Sequence, residues 1–393
     1  MAGAKPLGRL VAIVIAVAGL CASPARGEGP ELRLCTQNLF NWGLPEEVHR
    51  LRRENDPMEA VQRDLARQRT DLVGRLSGCD VVAVQEVLGG TAASARQGLQ
   101  WLADGLKSAT GVGWSLWTAD SADVIRNGFL VRENASVRVA SFDGSHAGEP
   151  VPPLDGFPRG TWSRAPAEIA LTWVGKAPAA TSLPAPAPGR SGSAPGRGGA
   201  ANTEPAGRAR TVPISGASGP TIRILTAHLK SHRGGENDPF EEDYERIRVV
   251  QAAALEEMAR SRLARDPRMI LLVMGDVNGD RETPTQLVLT GRLEPLRLIH
   301  PKDCIGPGGT LACDLPFREP LLQNLLAEDP DLSGRGSYRY GRKDQLMDVI
   351  LASPEAARLA AEPGKARDWD VALAGQYRRG SDHLMGRVIL RLP

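Results

Sequence analysis

The stretch Met269-Ile270-Leu271-Leu272-Val273-Met274-Gly275-Asp276-Val277-Asn278 decides the fold. Its first six residues are an unbroken apolar run of strand length, the pattern of a strand covered on both faces, and it leads directly into a carboxylate and an amide. A second run of the same kind, Val81-Val82-Ala83-Val84, leads into Gln85-Glu86. Further strands are predicted at residues 32–36, 167–174, 221–229, 347–351 and 386–392. Polar residues again mark their ends. The 32–36 run leads into Gln37-Asn38, and the 221–229 run carries His228 on the face it shares with Ile222, Ile224 and Thr226. Asp348 opens the 347–351 run, and Ser381-Asp382-His383 precedes the last one.

Between the strands lie helix start signals. Asp56-Pro57 with Glu59, Asp238-Pro239 with Glu241, and Thr283-Pro284 with Gln286 each offer an N-cap, a proline in the first turn and a capping partner. In the second of these helices Ile247, Val250, Leu255 and Met258 recur at helical spacing and predict a face packed on a sheet. Buried strands alternating with amphipathic helices give a layered α/β protein of mixed strand order.

The chain has 393 residues, 41% hydrophobic and 24% charged, which excludes a disordered chain, a collagen and a multi-span membrane protein. Nine of its 43 Gly and seven of its 30 Pro fall in residues 175–219, a stretch without an aromatic residue. Such a segment cannot bury enough apolar surface to offset its ordering entropy, so a disordered surface insertion is predicted there. Strand-like runs flank it, so residues 30–393 are read as a single domain interrupted by a loop. Lys5 and Arg9, an apolar run from Leu10 to Cys21 and the small residues around Ala25 predict a secretory signal peptide at residues 1–25, hence a secreted or periplasmic protein. The apolar run is too short to span a membrane, and Leu20 before Cys21 argues against lipidation.

Formal net charge is +2, but the signal carries +2 and the insertion +4, which leaves −4 on the remaining residues. An acidic body that takes a polyanion needs a metal and a local basic track. Export permits disulfides. Cys304 and Cys313 bracket a Gly-Pro-Gly-Gly loop and are expected to pair, whereas Cys35 and Cys79 lie beside apolar runs and are expected to be buried thiols.

Each polar strand end has an ordinary explanation taken singly. Asp276 and Asn278 can shape a turn, Glu86 can cap a helix, and a lone histidine is more often structural than catalytic. Six strand ends carrying Asn, Glu, Asp and His together are not explained that way, and converging ends would bring carboxylates, amides and two histidines into one site.

In order along the chain, Thr36-Gln37-Asn38-Leu39, Asp80-Val81-Val82-Ala83-Val84-Gln85-Glu86, Thr226-Ala227-His228-Leu229-Lys230-Ser231, Gly275-Asp276-Val277-Asn278, Met347-Asp348-Val349-Ile350-Leu351 and Ser381-Asp382-His383 resemble the motifs of the endonuclease/exonuclease/phosphatase superfamily. Within it, His-Leu-Lys-Ser together with export looks most like bacterial extracellular nucleases. The resemblance implies a four-layer α/β sandwich, two facing mixed sheets with helices outside, and a site at one end of the sheets. It implies Glu86, Asn38 and Asp382 as metal ligands, Asp276 and Asn278 facing the attacking water and the phosphate, Asp348 holding His383, and His228 as a second phosphate-facing histidine. Ala227 stands where many members carry a polar residue. Asn127, in the segment from Ile125 to Arg132, stands where some members supply Glu or Tyr, and it is a candidate substrate contact beside His228.

Carboxylate and amide oxygens suit Mg²⁺ or Mn²⁺, with Ca²⁺ a third candidate, and the lack of a thiolate or histidine cluster argues against Zn²⁺. Lys230 and Arg339, the latter in a cluster with Arg335, Arg342 and Lys343, are candidate substrate contacts. The expected activity is that of a metal-dependent phosphodiesterase on DNA or RNA, acting as a monomer without stable membrane insertion. A phosphomonoesterase of small phosphate esters and a sphingomyelinase-like lipid phosphodiesterase are the alternatives. A non-catalytic binding module ranks behind them because Asp276 and His383 are both present. Either residue is placed to act as general base.

Overall fold

In the computed structural model, residues 30–52, 55–146, 149–154, 159, 161–162, 164–175, 210–211, 220–231, 242–298, 304–306, 309–340, 343–361, 370–376 and 381–392 are described. The predicted signal peptide, most of the insertion, the Asp238-Pro239 cap and Arg342 lie outside them.

Two sheets carry the architecture. The first has the order β16-β17-β1-β2-β4-β3, built from β1 (Glu31–Trp42), β2 (Val81–Leu88), β3 (Trp114–Thr118), β4 (Ile125–Arg132), β16 (Val371–Ala374) and β17 (Met385–Arg391). The second has the order β12-β15-β9-β8-β6-β5-β7, from β5 (Val137–Asp143), β6 (Ala167–Trp173), β7 (Arg210–Thr211), β8 (Thr221–His228), β9 (Ile270–Asp276), β12 (Gln323–Asn324) and β15 (Asp348–Ala352). Hairpins β10 (Ile305–Gly306) with β11 (Thr310–Leu311), and β13 (Tyr338–Tyr340) with β14 (Lys343–Gln345), stand apart.

Each large sheet contains one parallel pair, β1 with β2 and β8 with β9, and its other pairings are antiparallel. A parallel pair needs a crossover. Helices α1 (Pro45–Leu51) and α2 (Met58–Leu76) lie within the first, and α4 (Glu242–Arg265) within the second.

Strand alternation divides the apolar residues into three cores. Leu32, Leu34, Val81 and Ala83 of the first sheet meet Ile222, Ile224, Leu272 and Ile350 of the second in a central core. The opposite faces pack outward. Cys35, Val82 and Val84 join Leu65 and Leu72 of α2 and Leu99 and Leu102 of α3 (Ala92–Thr110). Leu225, Leu271 and Val273 join Val249, Val250 and Leu255 of α4 and Leu287 of α5 (Pro284–Leu289). Helix, sheet, sheet, helix is the four-layer α/β sandwich implied by the resemblance.

Several local expectations are corrected. Cys304 and Cys313 are disulfide-bonded as expected, but Cys35 and Cys79, expected as thiols, are disulfide-bonded too, with Cα atoms 6.1 Å apart. Cys79 ends the crossover that returns the chain beside β1, and only the parallel pairing of β1 with β2 brings it to Cys35. Pro57, not Asp56, is the N-cap of α2, and it cannot form a side-chain cap. Thr283 is the N-cap of α5 but forms no side-chain cap bond; Gln286 instead donates to the carbonyls of Gly279 and Leu346, each at 2.7 Å. Within the segment read as disordered, Arg210–Thr211 pair with β5, while β6 and β8, which flank that segment, are antiparallel neighbours.

The chain separations of the two disulfides, 44 and 9 residues, set their expected contributions. By loop-closure entropy these are about 4 and 2.7 kcal/mol respectively. Replacing Cys35 and Cys79 by alanine should therefore lower the urea midpoint more than replacing Cys304 and Cys313.

Candidate active site

The ends of the two parallel pairs face each other at one edge of the sandwich. In the second sheet His228 pairs in register with Asp276, and Asp276 with Asp348, so three neighbouring strands present their functional side chains in one row. All three are buried. Gly275 makes the row possible. Its φ is +152°, and a Cβ there would stand 2.0 Å from the carbonyl oxygen of Ala227 on the adjacent strand.

In the first sheet the ladder is interrupted. The β1–β2 register shifts between Asn38 and Trp42, and the β2–β4 register shifts between Val84 and Val87. Phe40, Asn41 and Glu86 adopt positive φ at these irregularities, and Asn278 does so just past β9. Among the described residues these four are the only non-glycine positions with positive φ, and all four line the same cleft. Backbone strain therefore collects where the functional groups are. Strict alternation would put Glu86 on the face opposite Gln85. The irregularity instead turns it toward the site, while Gln85 stays between the sheets and donates to Thr226 Oγ1 at 2.9 Å.

His383 completes the group from the loop before β17. Its Nδ1 lies 2.6 Å from Asp348 Oδ2, and its Nε2 lies 3.6 Å from Asp276 Oδ2. Ser381 Oγ donates to the Asn38 carbonyl at 2.7 Å and accepts from the His383 amide at 3.0 Å. Arg75 of α2 donates to the His383 carbonyl at 2.9 Å. The loop is thus tied to both β1 and α2.

Asp276 is the hub. Its Oδ2 accepts from Asn38 Nδ2 at 3.0 Å and lies 3.7 Å from His228 Nε2, and its Oδ1 accepts from the Asn278 amide at 2.9 Å. Burial pushes its pKa up to about 6, against the opposing pull of the charged His383. Burial also raises Glu86 and Asp382, again against His383. For His383 itself burial disfavours the charge, but Asp348 and Asp276 outweigh it and hold the imidazole protonated well above its ordinary value. His228 goes the other way: burial, then the charges of Arg164 and His383, push it well below its ordinary value.

The two histidines thus carry different charges, set by their neighbours. Arg164 NH1 donates to His228 Nε2 at 2.8 Å. Sequence reasoning missed Arg164, which lies outside every strand and motif. It had placed Asn127 beside His228. Asn127 is instead fully buried and donates to the Ala165 carbonyl at 2.8 Å, bracing the segment that carries Arg164. The Lys230 ammonium sits 4.3 Å from the centre of the Tyr244 ring. Arg339 is on the cleft wall, paired with Asp344 at 2.9 Å. Glu86, His228, Asp276, Asn278, Asp382 and His383 all line the cleft.

The donor set suits a hard divalent cation. Glu86, Asp276, Asp348 and Asp382 bring four carboxylates against the positive charges of His383 and Arg164, an excess of negative charge built from oxygen donors. Among the described residues no three His, Cys, Asp or Glu side chains are already gathered closely enough to hold an ion. Local bonds account for part of this, because Asn38 Oδ1 accepts from the Phe40 amide and Glu86 Oε2 from the Asn41 amide, each at 2.9 Å.

No protein-family model matches the sequence, and no curated protein is significantly similar to it. Solved structures do match by shape. A truncated Caenorhabditis elegans TDP2 is 12% identical, with 92% of this chain and 97% of that one covered at a TM-score of 0.47. An endonuclease/exonuclease/phosphatase family protein from Bacteroides thetaiotaomicron is 11% identical, covering 93% and 99% at a TM-score of 0.44. SmcL is 9% identical, covering 92% and 99% at a TM-score of 0.48.

Replacing Asp348 by asparagine removes the carboxylate nearest His383 while keeping its shape. Less negative charge favours the neutral ring, so the His383 pKa should fall below its wild-type value. Histidine ring proton shifts followed through a pH titration in chelator would measure it.

Proposed function

We propose that this protein is a secreted, divalent-metal-dependent phosphodiesterase, and specifically an endonuclease acting on DNA or RNA. The observation that carries this reading is the in-register row His228, Asp276 and Asp348, closed by His383 against Asp348 at 2.6 Å. Hydrolysis of a phosphodiester needs positive charge on the phosphate oxygens, an oriented water and a group to take its proton. His383 is charged and fixed by Asp348, and Arg164 adds a guanidinium against His228. Together they stabilise the negative charge that grows on the phosphate. Asp276, hydrogen-bonded by Asn38 and the Asn278 amide and facing both imidazoles, takes the proton of the attacking water as its oxygen bonds to phosphorus and the P–O bond to the departing nucleotide oxygen breaks. Asn278 and neutral His228 bind the remaining polar atoms of the phosphate.

Glu86, Asp382 and Asn38 are the residues that would hold Mg²⁺ or Mn²⁺. When bound, the ion supplies Lewis-acid stabilisation of the phosphate and of the departing oxygen. Two disulfides support folding in an oxidising compartment, in keeping with the signal-peptide reading. None of the described helices is long and apolar enough to cross a membrane. A phosphomonoesterase of substrates with several phosphates would call on the basic cluster around Arg339, and the pairing of Arg339 with Asp344 weakens that alternative.

Nicking of supercoiled plasmid should require Mg²⁺ or Mn²⁺ and stop with chelator. His383→Ala should lower the rate at least about a hundredfold, the usual scale for losing one preorganised group that stabilises transition-state charge. Nicking that survives this substitution, or proceeds undiminished in chelator, would contradict the reading.

A further inference from the structure

Phe40 lines the cleft but plays no part in the chemistry above. It is 47% exposed, and the charged side chains of Arg52, Asp64 and Arg67 line the cleft with it. Its φ of 53° and the 56° of Asn41 lie in the left-handed region, which side chains larger than glycine adopt at a cost of about 1–3 kcal/mol. Hydrogen bonds hold it there from three directions. The Phe40 amide donates to Asn38 Oδ1 and the Asn41 amide to Glu86 Oε2, each at 2.9 Å. Gln68 of α2 donates to the carbonyls of Leu39 at 2.7 Å and Phe40 at 3.2 Å. A continued strand would carry Phe40 on the same face as Asn38. The irregularity instead sets the ring at the cleft surface, one turn of chain from two candidate metal ligands.

An aromatic ring held at the cleft surface by strained backbone, beside a reaction centre, offers its flat apolar face to a bound partner. Resting on the phosphodiesterase reading, we infer that Phe40 is a stacking platform for the nucleobase next to the scissile phosphate. The preferred substrate is therefore a nucleic acid strand whose bases are unpaired at the cleaved bond. Bases in a duplex already stack on their neighbours and offer only edges, whereas an unpaired base offers its face to an aromatic side chain. Arg67 lines the same cleft, where a cationic group can follow a phosphate backbone, whereas Arg52 beside it is paired with Asp56 at 3.1 Å and Asp64 at 3.2 Å. A lipid surface fits less well. Apart from Leu51, 41% exposed, the wall near Phe40 is occupied by Arg52, Asp64, Arg67 and Gln68, which breaks up any apolar docking patch.

The test compares two single-stranded oligonucleotides with Mg²⁺, one intact and one with abasic nucleotides flanking the cleaved bond. Wild type should prefer the intact strand through a lower KM. Phe40→Ala should reduce that preference about tenfold, the scale of one base–aromatic stack, and Phe40→Trp should preserve it. Urea midpoints of both variants separate loss of stacking from loss of fold. A preference unchanged in Phe40→Ala, while wild type cleaves, overturns the assignment and leaves the phosphodiesterase reading intact. If Phe40→Ala instead loses binding to sphingomyelin vesicles and keeps its oligonucleotide preference, the ring serves a lipid and the inference fails. Wild type that nicks plasmid but cleaves neither strand with Mg²⁺ or Mn²⁺ overturns the inference alone, and wild type that cleaves none of the three overturns both.

Discussion

The register between β8, β9 and β15 is the constraint on which the site depends. His228, Asp276 and Asp348 sit directly opposite one another on three hydrogen-bonded strands, so their side chains share a face as a consequence of pairing. A one-residue slip of any of these strands would turn its functional group into the outer helix layer and its apolar residues into the cleft. The apolar alternation below the row opposes such a slip. Ile222, Ile224, Leu272, Met274 and Ile350 face the central core, while Leu225, Leu271, Val273 and Val349 face the outer helices. The interactions that stabilise the sandwich therefore also fix the site, with no separate scaffold.

The first sheet supplies its groups by the opposite means. There the ladder is broken where Asn38 and Glu86 emerge, and the cost is met by interactions a few residues away. Trp42 stacks on Trp101 with ring centres 4.8 Å apart, and its indole donates to the Gly98 carbonyl at 2.8 Å. The Cys35–Cys79 disulfide joins β1 to the entry of β2 on the same helix-facing side. These contacts anchor the strand on both sides of the irregularity, so that the strained residues are over-determined by their surroundings. One sheet holds its site residues by regular pairing and the other by a guarded irregularity.

This contrast explains what could be read from the sequence. Apolar runs followed by Asn, Glu, Asp and His marked the strand ends, and period-two alternation placed His228 correctly because β8 is regular to its end. The same rule puts Glu86 on the wrong face, since nothing in Val-Val-Ala-Val-Gln-Glu announces a positive φ. Cys35 and Cys79 looked like separate buried thiols because their proximity follows from a parallel pairing that only the assembled sheet displays. Arg164 belongs to no periodic element, so its approach to His228 depends wholly on long-range packing. Asn127 was noticed for a strand position that does face inward, but its amide is used to hold the Ala165 backbone.

The electrostatics of the site follow from where these two constructions meet. Glu86, Asp276 and Asp382 are brought to a water-poor edge where burial drives each toward its neutral form. His383 opposes that tendency, and its own charge survives burial only because Asp348 and Asp276 flank it. Removing any one member shifts the protonation of the others, so the group behaves as one titrating unit rather than as separate acids and bases. A second histidine with the same charge would have cancelled this arrangement. Burial, with the charges of Arg164 and His383 added to it, favours the neutral form of His228, 3.7 Å from the carboxylate that the charged ring also faces. The site thus holds a charged and a neutral imidazole on one carboxylate, a difference set by burial and by which charges flank each ring, Asp348 and Asp276 at His383 and an arginine from outside the strand framework at His228.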